Sequence, residues 1–290
     1  MRYQNIAILL LALSFSTSGV AKENSKKNSK VVKFQAGHKT VMPGKTLKLY
    51  SSFGERATID GVPVSNTWKA PDHAGNHTLV VTDHNGNIKR RETVFVLEPS
   101  TKIDARGYLG NYRIGFYPKN TPKGFIKLEK DEVNLPVSKN FKIGQFLCKQ
   151  QPAEWPKYVL VSDKNLQRLE TLLAQLREDG RTNASTLFVM SGFRTPYYNT
   201  AIGSAKYSRH MYGDAADIYI DSMPRDGNMD DVNQDGTIDK DDANFIYDYA
   251  ESLYAETGII AGGLGAYKSN AVHGPFVHID ARGRVARWGR

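Results

Sequence analysis

Residues 208–218, with the sequence SRHMYGDAADI, are the stretch that decides how the rest of this chain is interpreted. The stretch is a polar hinge that runs into a short apolar strand. His210 and Asp217 lie seven residues apart within it. Gly213 and the small alanines beside Asp217 let the backbone bend and pack closely. Another histidine, His278, lies far downstream in the segment PFVHID.

These three side chains form a ligand set that suits a catalytic metal. Two imidazoles and one carboxylate, with water in the fourth position, are a common arrangement around catalytic zinc. His210 and His278 would supply nitrogen and Asp217 oxygen. Zinc would lower the pKa of the water to about 7, which makes hydroxide available at neutral pH. A histidine and an aspartate at this spacing also occur by chance, so the surrounding motifs are needed to indicate a metal site.

Three motifs occur together and in order: SGFRTP at residues 191–196, S-x-H-x-x-G-x-A-x-D-I at 208–218, and FVHID at 276–280. This set resembles the zinc D-alanyl-D-alanine carboxypeptidases and murein endopeptidases, the LAS-type metallopeptidases of peptidase family M15. The resemblance covers roughly residues 136–290. It implies a catalytic Zn²⁺ and hydrolysis of peptide bonds in peptidoglycan stem peptides or cross-links, with endopeptidase and carboxypeptidase action both open.

The resemblance also assigns roles around the metal. In the family, the arginine that matches Arg194 binds substrate near the scissile peptide, where a guanidinium can pair with a carboxylate or polarise a carbonyl oxygen. Many relatives carry an acid three residues before the last zinc ligand, but this sequence has Pro275 there. We therefore expect His273 to be the general base, as in some murein endopeptidases. Asp280 is the alternative, either as an assistant to the base or as a residue that orients a ligand.

A second metal signal lies between the Asp217 strand and the next helix. Residues 231–242 have the spacing of an EF-hand calcium loop, with Gly236 at the turn and an apolar residue after position 7. Position 12 is an aspartate, which resembles dockerin-type loops. A solvated acidic insertion is the alternative. The predicted structural Ca²⁺ ligands are Asp231, Asn233, Asp235, Thr237, Asp239 and Asp242.

The sequence predicts several segments with different compositions. Residues 1–21 have the positive start, apolar core and small residues of a signal peptide, which predicts export to the periplasm or cell envelope without a transmembrane anchor after cleavage. Residues 22–30 form a basic flexible leader. Residues 31–98 predict a small all-β, immunoglobulin-like domain, with Asn85-Gly86 as a type I′ hairpin turn. Residues 99–135 form an aromatic-rich connector that packs on the peptidase.

Residues 136–290 predict an α+β domain with an antiparallel sheet. Five leucines at helical spacing follow Ser162, and Gly180 ends that helix. Short strands are expected at 186–190, 215–220, 259–267 and 276–280, and a further helix at 244–256. The acidic insertion lies at about 223–243. The predicted zinc ligands fall on these strands and at their ends.

Composition limits the partners. The chain of 290 residues has a net charge of +9, so an exported form would be attracted to envelope polyanions. The sequence has no nucleic-acid-binding motif that we recognise. Its single cysteine, Cys148, lies among apolar residues and is expected to be a buried small hydrophobe. The alternative function is a non-catalytic wall-binding protein with a structural or vestigial zinc site, which would require a fourth protein ligand such as Cys148.

Overall fold

The computed structural model describes residues 37–290 apart from 50, 51, 53 and 223. The predicted signal peptide, the basic leader and residues 31–36 of the predicted β domain lie outside the described residues. The described residues belong to one compact unit. None of their helices is long and apolar enough to cross a membrane.

The first part of the described chain, residues 37–96, is the β-rich part and contains seven strands. Five of them form a sheet in the order β1-β7-β6-β3-β4, and the other two pair with each other. All pairs are antiparallel except β1 with β7, which are parallel. The strands are β1 (His38–Val41), β2 (Thr46–Lys48), β3 (Arg56–Ile59), β4 (Val62–Val64), β5 (Thr67–Lys69), β6 (Gly75–Thr82) and β7 (Ile88–Val96).

The β6–β7 hairpin is present, but its turn differs from the predicted type I′ turn. A type I′ turn requires positive φ at both central residues, and only Gly86 of the Asn85-Gly86 pair has it, at 85°. The loop is longer than a two-residue turn, and Asp83 Oδ1 closes it by accepting the backbone N–H groups of Asn85 and Asn87, each at 2.9 Å. Positive φ at two successive residues occurs instead at Asp60 and Gly61, between β3 and β4.

The connector and the second part of the described chain, together residues 97–290, contain two small sheets, one five-stranded sheet and three α-helices. The small sheets have the orders β12-β11-β8 and β10-β9. Their strands are β8 (Glu98–Pro99), β9 (Tyr108–Leu109), β10 (Tyr112–Arg113), β11 (Gly124–Leu128) and β12 (Lys157–Val159). The remaining elements are α1 (Asp163–Glu178), β13 (Phe188–Ser191), α2 (Pro196–Ala201), β14 (Ala215–Tyr219), α3 (Lys240–Thr257), β15 (Gly263–Tyr267), β16 (Phe276–Asp280) and β17 (Ala286–Trp288).

Two hydrophobic clusters hold the described chain together, and strand β7 contributes to both. Successive side chains of a strand point to opposite faces. Val94 and Val96 therefore join the smaller cluster of the β-rich part, while Phe95 joins the larger cluster of the second part. Within residues 99–135, Tyr112 and Phe125 are buried in the larger cluster.

Helix α1 is the main support of the second part. Its predicted leucine stripe is confirmed, because Leu166, Leu169, Leu172, Leu173 and Leu176 are all fully buried. The helix ends before Gly180, which has positive φ. Helix α3 begins four residues earlier than predicted because Asp239 caps it and accepts the N–H of Asp241.

The central sheet has the order β13-β14-β16-β15-β17. Its first four strands are antiparallel, in agreement with the predicted α+β class. The last strand, β17, was not predicted and pairs with β15 in parallel. This sheet carries two of the three predicted zinc ligands.

Candidate metal centre

The register of the central sheet aligns one residue from each strand. Ser191 lies opposite Asp217, Asp217 opposite His278, and His278 opposite Gly265. Trp288 completes the row beside Gly265. Strand pairing thus brings together two residues, Asp217 and His278, that are 61 positions apart in the chain.

His210 reaches the same place from outside the sheet. It lies in a 3₁₀ turn, Arg209–Tyr212, which ends at Gly213 with φ of 69°. A Cβ at position 213 would lie 2.5 Å from the carbonyl carbon of Leu160, so only glycine fits there. This explains the glycine of the motif: it turns the chain from the His210 segment into β14 while the backbone packs against residue 160.

The hydrogen bonds of the two imidazoles leave one lone pair of each facing Asp217. His210 Nδ1 is 2.6 Å from the carbonyl oxygen of Gly192, and a carbonyl can only accept, so Nδ1 carries the proton. His278 Nε2 is 3.0 Å from Asp280 Oδ2 and donates to it. When both rings are neutral, His210 Nε2 and His278 Nδ1 are therefore the unprotonated nitrogens that can coordinate a metal. A second proton on His278 would lie on Nδ1, 2.8 Å from Asp217 Oδ1.

The spacing of the donor atoms fits a tetrahedral zinc site. Ligand atoms about 2.0–2.2 Å from a tetrahedral centre lie roughly 3.3 Å apart. His210 Nε2 is 3.2 Å from His278 Nδ1 and 3.3 Å from Asp217 Oδ1, and His278 Nδ1 is 2.8 Å from Asp217 Oδ1. Within the described residues, these three are the group of His, Cys, Asp or Glu side chains close enough to share a metal ion.

Burial and mutual contact set the protonation of the three side chains, all of which are buried. Burial lowers the pKa of His210, which favours the neutral ligand form. Burial acts the same way on His278, but hydrogen bonds to Asp217 and Asp280 outweigh it and raise the pKa of His278. Burial opposes the charge of Asp217, but both imidazoles bring the pKa of Asp217 well below its usual value.

Arg194 contacts the predicted metal ligand Asp217 directly. Its guanidinium donates to Asp217 Oδ2, while Oδ1 of the same carboxylate faces the imidazoles. Arg194 Nε donates to Ser191 Oγ at 2.8 Å, and a third nitrogen lies 3.4 Å from Ser204 Oγ. The two oxygens of Asp217 thus have separate partners. The sequence predicted that Arg194 binds substrate and did not predict its contact with Asp217.

Asp280 lies on the far side of His278 from Asp217. It is fully buried, and besides His278 it accepts the backbone N–H of Gly263 at 2.9 Å and the Nε of Arg282 at 2.9 Å. Burial opposes its charge, but the contacts with His278 and Arg282 hold the pKa of Asp280 far below its usual range. Asp280 is therefore placed to orient the His278 ring and fix its tautomer, which is the ligand-orienting alternative of the two predicted roles.

Trp288 covers His278 and was not singled out by the sequence. Its ring centroid is 5.2 Å from that of His278, and its Nε1 donates to the Tyr267 hydroxyl at 2.7 Å. Gly265 makes this possible, because a Cβ there would lie 2.2 Å from Trp288 Nε1. In the sequence, Gly263 and Gly265 of β15 indicate this packing, because two glycines on one strand leave space for a large neighbouring side chain.

The expected general base, His273, lies in the loop before β16. It lines a cavity of about 380 Å³ together with Arg194, Ser191 and Pro275. Both of its ring nitrogens contact its own loop. Nδ1 donates to the Gly274 carbonyl at 2.8 Å, and Nε2 accepts from Asn270 Nδ2 at 2.8 Å. The structure thus places His273 on the same cavity as Arg194, with its basic nitrogen already occupied.

Cys148 is buried, as predicted, and takes no part in the group of metal ligands. Burial raises the pKa of its thiol, which disfavours the thiolate form that binds metals. The fourth protein ligand required by a structural zinc site is therefore not supplied by Cys148.

The predicted calcium loop is closed by its own carboxylates. Asp231 accepts the backbone N–H groups of Gln234 at 2.7 Å and Gly236 at 2.8 Å. Asp242, fully buried, accepts those of Val232 at 2.8 Å and Asp239 at 2.9 Å. These bonds give the loop a turn at Gly236, with φ of 89°. Calcium binding at this loop stays a prediction.

Comparison with known families agrees with the geometry of the site. Residues 139–234 match the family model described as Peptidase M15. The match spans about a third of the chain and includes Arg194, His210 and Asp217. It ends before His273 and His278, so the structure alone connects those residues to the matched segment. No curated protein matches this sequence. The match supports a peptidase. The group of His210, Asp217 and His278 agrees with the zinc dependence of that family.

Proposed function

We propose that this protein is an exported zinc metallopeptidase that hydrolyses peptide bonds in peptidoglycan stem peptides or cross-links. The convergence of His210 Nε2, His278 Nδ1 and Asp217 Oδ1 at zinc-like separations is the observation that carries the proposal. The Peptidase M15 match supports the reaction class. The peptidoglycan substrate follows from the resemblance of the sequence motifs, and export follows from the composition of residues 1–21.

In this proposal, Lewis-acid activation of water and of the scissile carbonyl is the chemistry that bound zinc supplies. His210, Asp217 and His278 hold the ion, and Asp280 fixes the tautomer of His278. Arg194 neutralises the outer oxygen of Asp217 and lines the adjoining cavity, where a guanidinium can also contact a substrate oxygen. Three protein ligands leave a position open, as in catalytic rather than structural sites.

Hydrolysis adds hydroxide to the carbonyl carbon, breaks the C–N bond and delivers a proton to the leaving amine. We propose His273 as the residue that accepts and passes on this proton. Because Asn270 occupies its Nε2 in the structure, the loop must release that bond before His273 can accept a proton. Calcium bound at residues 231–242 would stabilise the insertion that precedes α3.

The test is digestion of purified peptidoglycan by the mature protein, with zinc or with a chelator, followed by mass spectrometry of the products. His210→Ala serves as the inactive control. Zinc-dependent peptide cleavage that is lost in the variant is the expected result, and the product masses separate endopeptidase from carboxypeptidase action. A folded, zinc-loaded protein that binds peptidoglycan without cleaving it would overturn the proposal in favour of a wall-binding protein.

A further inference from the structure

The cavity beside the metal centre has a chemistry that indicates its ligand. Its volume of about 380 Å³ falls within the range of small-ligand sites. Cationic or titratable basic side chains line it at three positions, Lys149, Arg194 and His273. None of the described residues that line it is acidic. Such a cavity favours an anionic group of the substrate.

Of these three, Lys149 is the cation free to pair with a ligand. Arg194 donates to Asp217, and both ring nitrogens of His273 are held by their own loop. Lys149 is exposed, and among the described residues no carboxylate pairs with it. Its ammonium group can therefore form a new ion pair without breaking an existing one.

The backbone around Lys149 is fixed to the segment that carries Arg194. The preceding residue, Cys148, is buried. On the other side, Gln150 is also buried, and its Oε1 accepts from Thr195 Oγ1 at 2.7 Å. The Phe146 carbonyl accepts the N–H of Phe193 at 2.8 Å. The position of the Lys149 backbone relative to Arg194 is thus set by residues on both sides, which limits the conformational entropy lost when a ligand binds.

Apolar and aromatic side chains make up much of the remaining lining, beside the polar Ser191 and Asn228. Phe188 and Tyr219 stack with their ring centroids 4.5 Å apart, and Met190 and Met229 also line the cavity. An apolar wall suits the methyl side chains of alanine residues.

We infer that Lys149 binds a carboxylate of the peptide substrate in this cavity and so determines substrate specificity. This inference rests on the proposed peptidase function and adds a substrate class to it: peptides with a carboxylate close to the scissile bond. The carboxylate can be the C-terminal group of the chain or an acidic side chain. The shared chemistry is an ion pair with the Lys149 ammonium group.

The test compares Lys149→Ala with wild type on an N-acetylated peptide that ends in D-Ala-D-Ala, supplied as the free acid and as the C-terminal amide. A third peptide carries an acidic side chain and a C-terminal amide. Lys139→Ala is the matched control, since Lys139 is an exposed lysine of the same domain that does not line the cavity. We expect Lys149→Ala to raise KM roughly tenfold for the carboxylate-bearing peptide, with kcat little changed.

The peptides identify which carboxylate is bound. A loss confined to the free acid supports the inference with the C-terminal group as ligand, whereas a loss confined to the third peptide supports it with a side chain as ligand. Equal behaviour of Lys149→Ala and Lys139→Ala on all three peptides would overturn it.

Failure of the proposed function is recognised separately. If wild type with zinc hydrolyses neither these peptides nor purified peptidoglycan, the peptidase proposal fails. Calorimetric titration of the same three peptides into wild type and Lys149→Ala then decides whether the cavity binds a carboxylate. Binding that needs both Lys149 and the carboxylate supports the inference, and binding indifferent to either overturns it.

Discussion

At the scale of single residues, each imidazole of the candidate metal centre is held by a hydrogen-bond partner other than the predicted ligands. His210 and His278 each use one ring nitrogen to donate to a fixed acceptor, and the other nitrogen faces Asp217. An imidazole held in this way presents its lone pair without having to select a tautomer or rotamer on binding. The partners of the ligands are therefore good targets for mutation.

Asp280→Asn is expected to weaken zinc binding about 10–100-fold, because the amide cannot hold His278 Nε2–H as a carboxylate does. A competitive titration against a chromophoric chelator measures this. Asp248→Asn is the control, since Asp248 pairs with Arg290 at the surface, away from the ligands. Zinc affinity that is the same in both variants would show that His278 does not need Asp280.

Zinc affinity is expected to fall as pH decreases from about 8 to about 5.5. The contacts with Asp217 and Asp280 raise the pKa of His278, so in the metal-free protein this ring takes up a proton before His210 does. Zinc must displace that proton, so binding releases protons and tightens as pH rises. The same chelator titration at several pH values measures the slope, and a flat profile would contradict the expected protonation of His278.

At the scale of elements, short irregular segments place the groups that the sheet alone cannot. The 3₁₀ turn Arg209–Tyr212 delivers His210, and the carbonyl oxygen of His210 accepts the backbone N–H of Arg194 at 3.2 Å. Two glycines with similar φ allow the effect of crowding at residue 213 to be separated from the effect of positive φ. Gly213 has φ of 69° and is crowded, whereas Gly180 has φ of 67° and no neighbour within 4 Å.

Gly180→Ala is expected to cost about 1 kcal/mol of unfolding free energy through positive φ alone. Gly213→Ala carries the same backbone cost and adds a clash with Leu160, so it is expected to cost several kcal/mol in all and to reduce bound zinc. Chemical denaturation and metal analysis of both variants provide the comparison. Equal stability and equal zinc content would mean that the backbone at 213 moves aside without consequence.

The loop at residues 231–242 is expected to bind calcium, as its EF-hand spacing predicts. Calcium at 100 times its Kd would then add about 2.7 kcal/mol to stability and raise Tm. Asp231→Asn should abolish the calcium-dependent rise, while Asp241→Asn, at a position that provides no ligand, should retain it. The readout is the difference in Tm with and without calcium, since Asp231 also holds the loop by hydrogen bonds. No rise in wild type would show that the carboxylates serve only these hydrogen bonds.

At the scale of the whole molecule, the β-rich part and the zinc-binding part are connected through more than the chain. The Phe95 side chain lies in the core of the second part, and the ring of His38 lies 5.7 Å from it. His38 Nδ1 also donates to the Val137 carbonyl at 2.9 Å, and Asn76 Nδ2 donates to that of Lys127 at 3.1 Å. These contacts couple the folding of the two parts.

We expect one cooperative thermal transition, which zinc shifts upward as a whole. Calorimetry with and without zinc measures this, and hydrogen exchange of β6 and β7 reports on the part that holds no zinc ligand. Two separate transitions, of which zinc moves only one, would contradict the coupling. Phe95→Ala should lower the cooperativity, because it removes the side chain that β7 contributes to the second core.

Much of this arrangement could be predicted from the sequence because it depends on local pattern. The leucine stripe of α1 fixes one face of a helix by its 3.6-residue period, and the alternation in β16 places His278 and Asp280 on the same side. The ligand types in the motifs at 208–218 and 276–280 indicated a catalytic metal site, since two imidazoles and a carboxylate with an open position suit catalytic zinc.

Only the tertiary structure decided how distant residues meet. The pairing of Asp217 with His278, the hold of Arg194 on Asp217 and the packing of Trp288 over Gly265 all depend on strand order and register. These are set by the packing of whole elements and have no signature in a single segment. The same holds for Lys149, an ordinary lysine by sequence, which becomes a candidate ligand-binding residue because its buried neighbours fix it to the Arg194 loop.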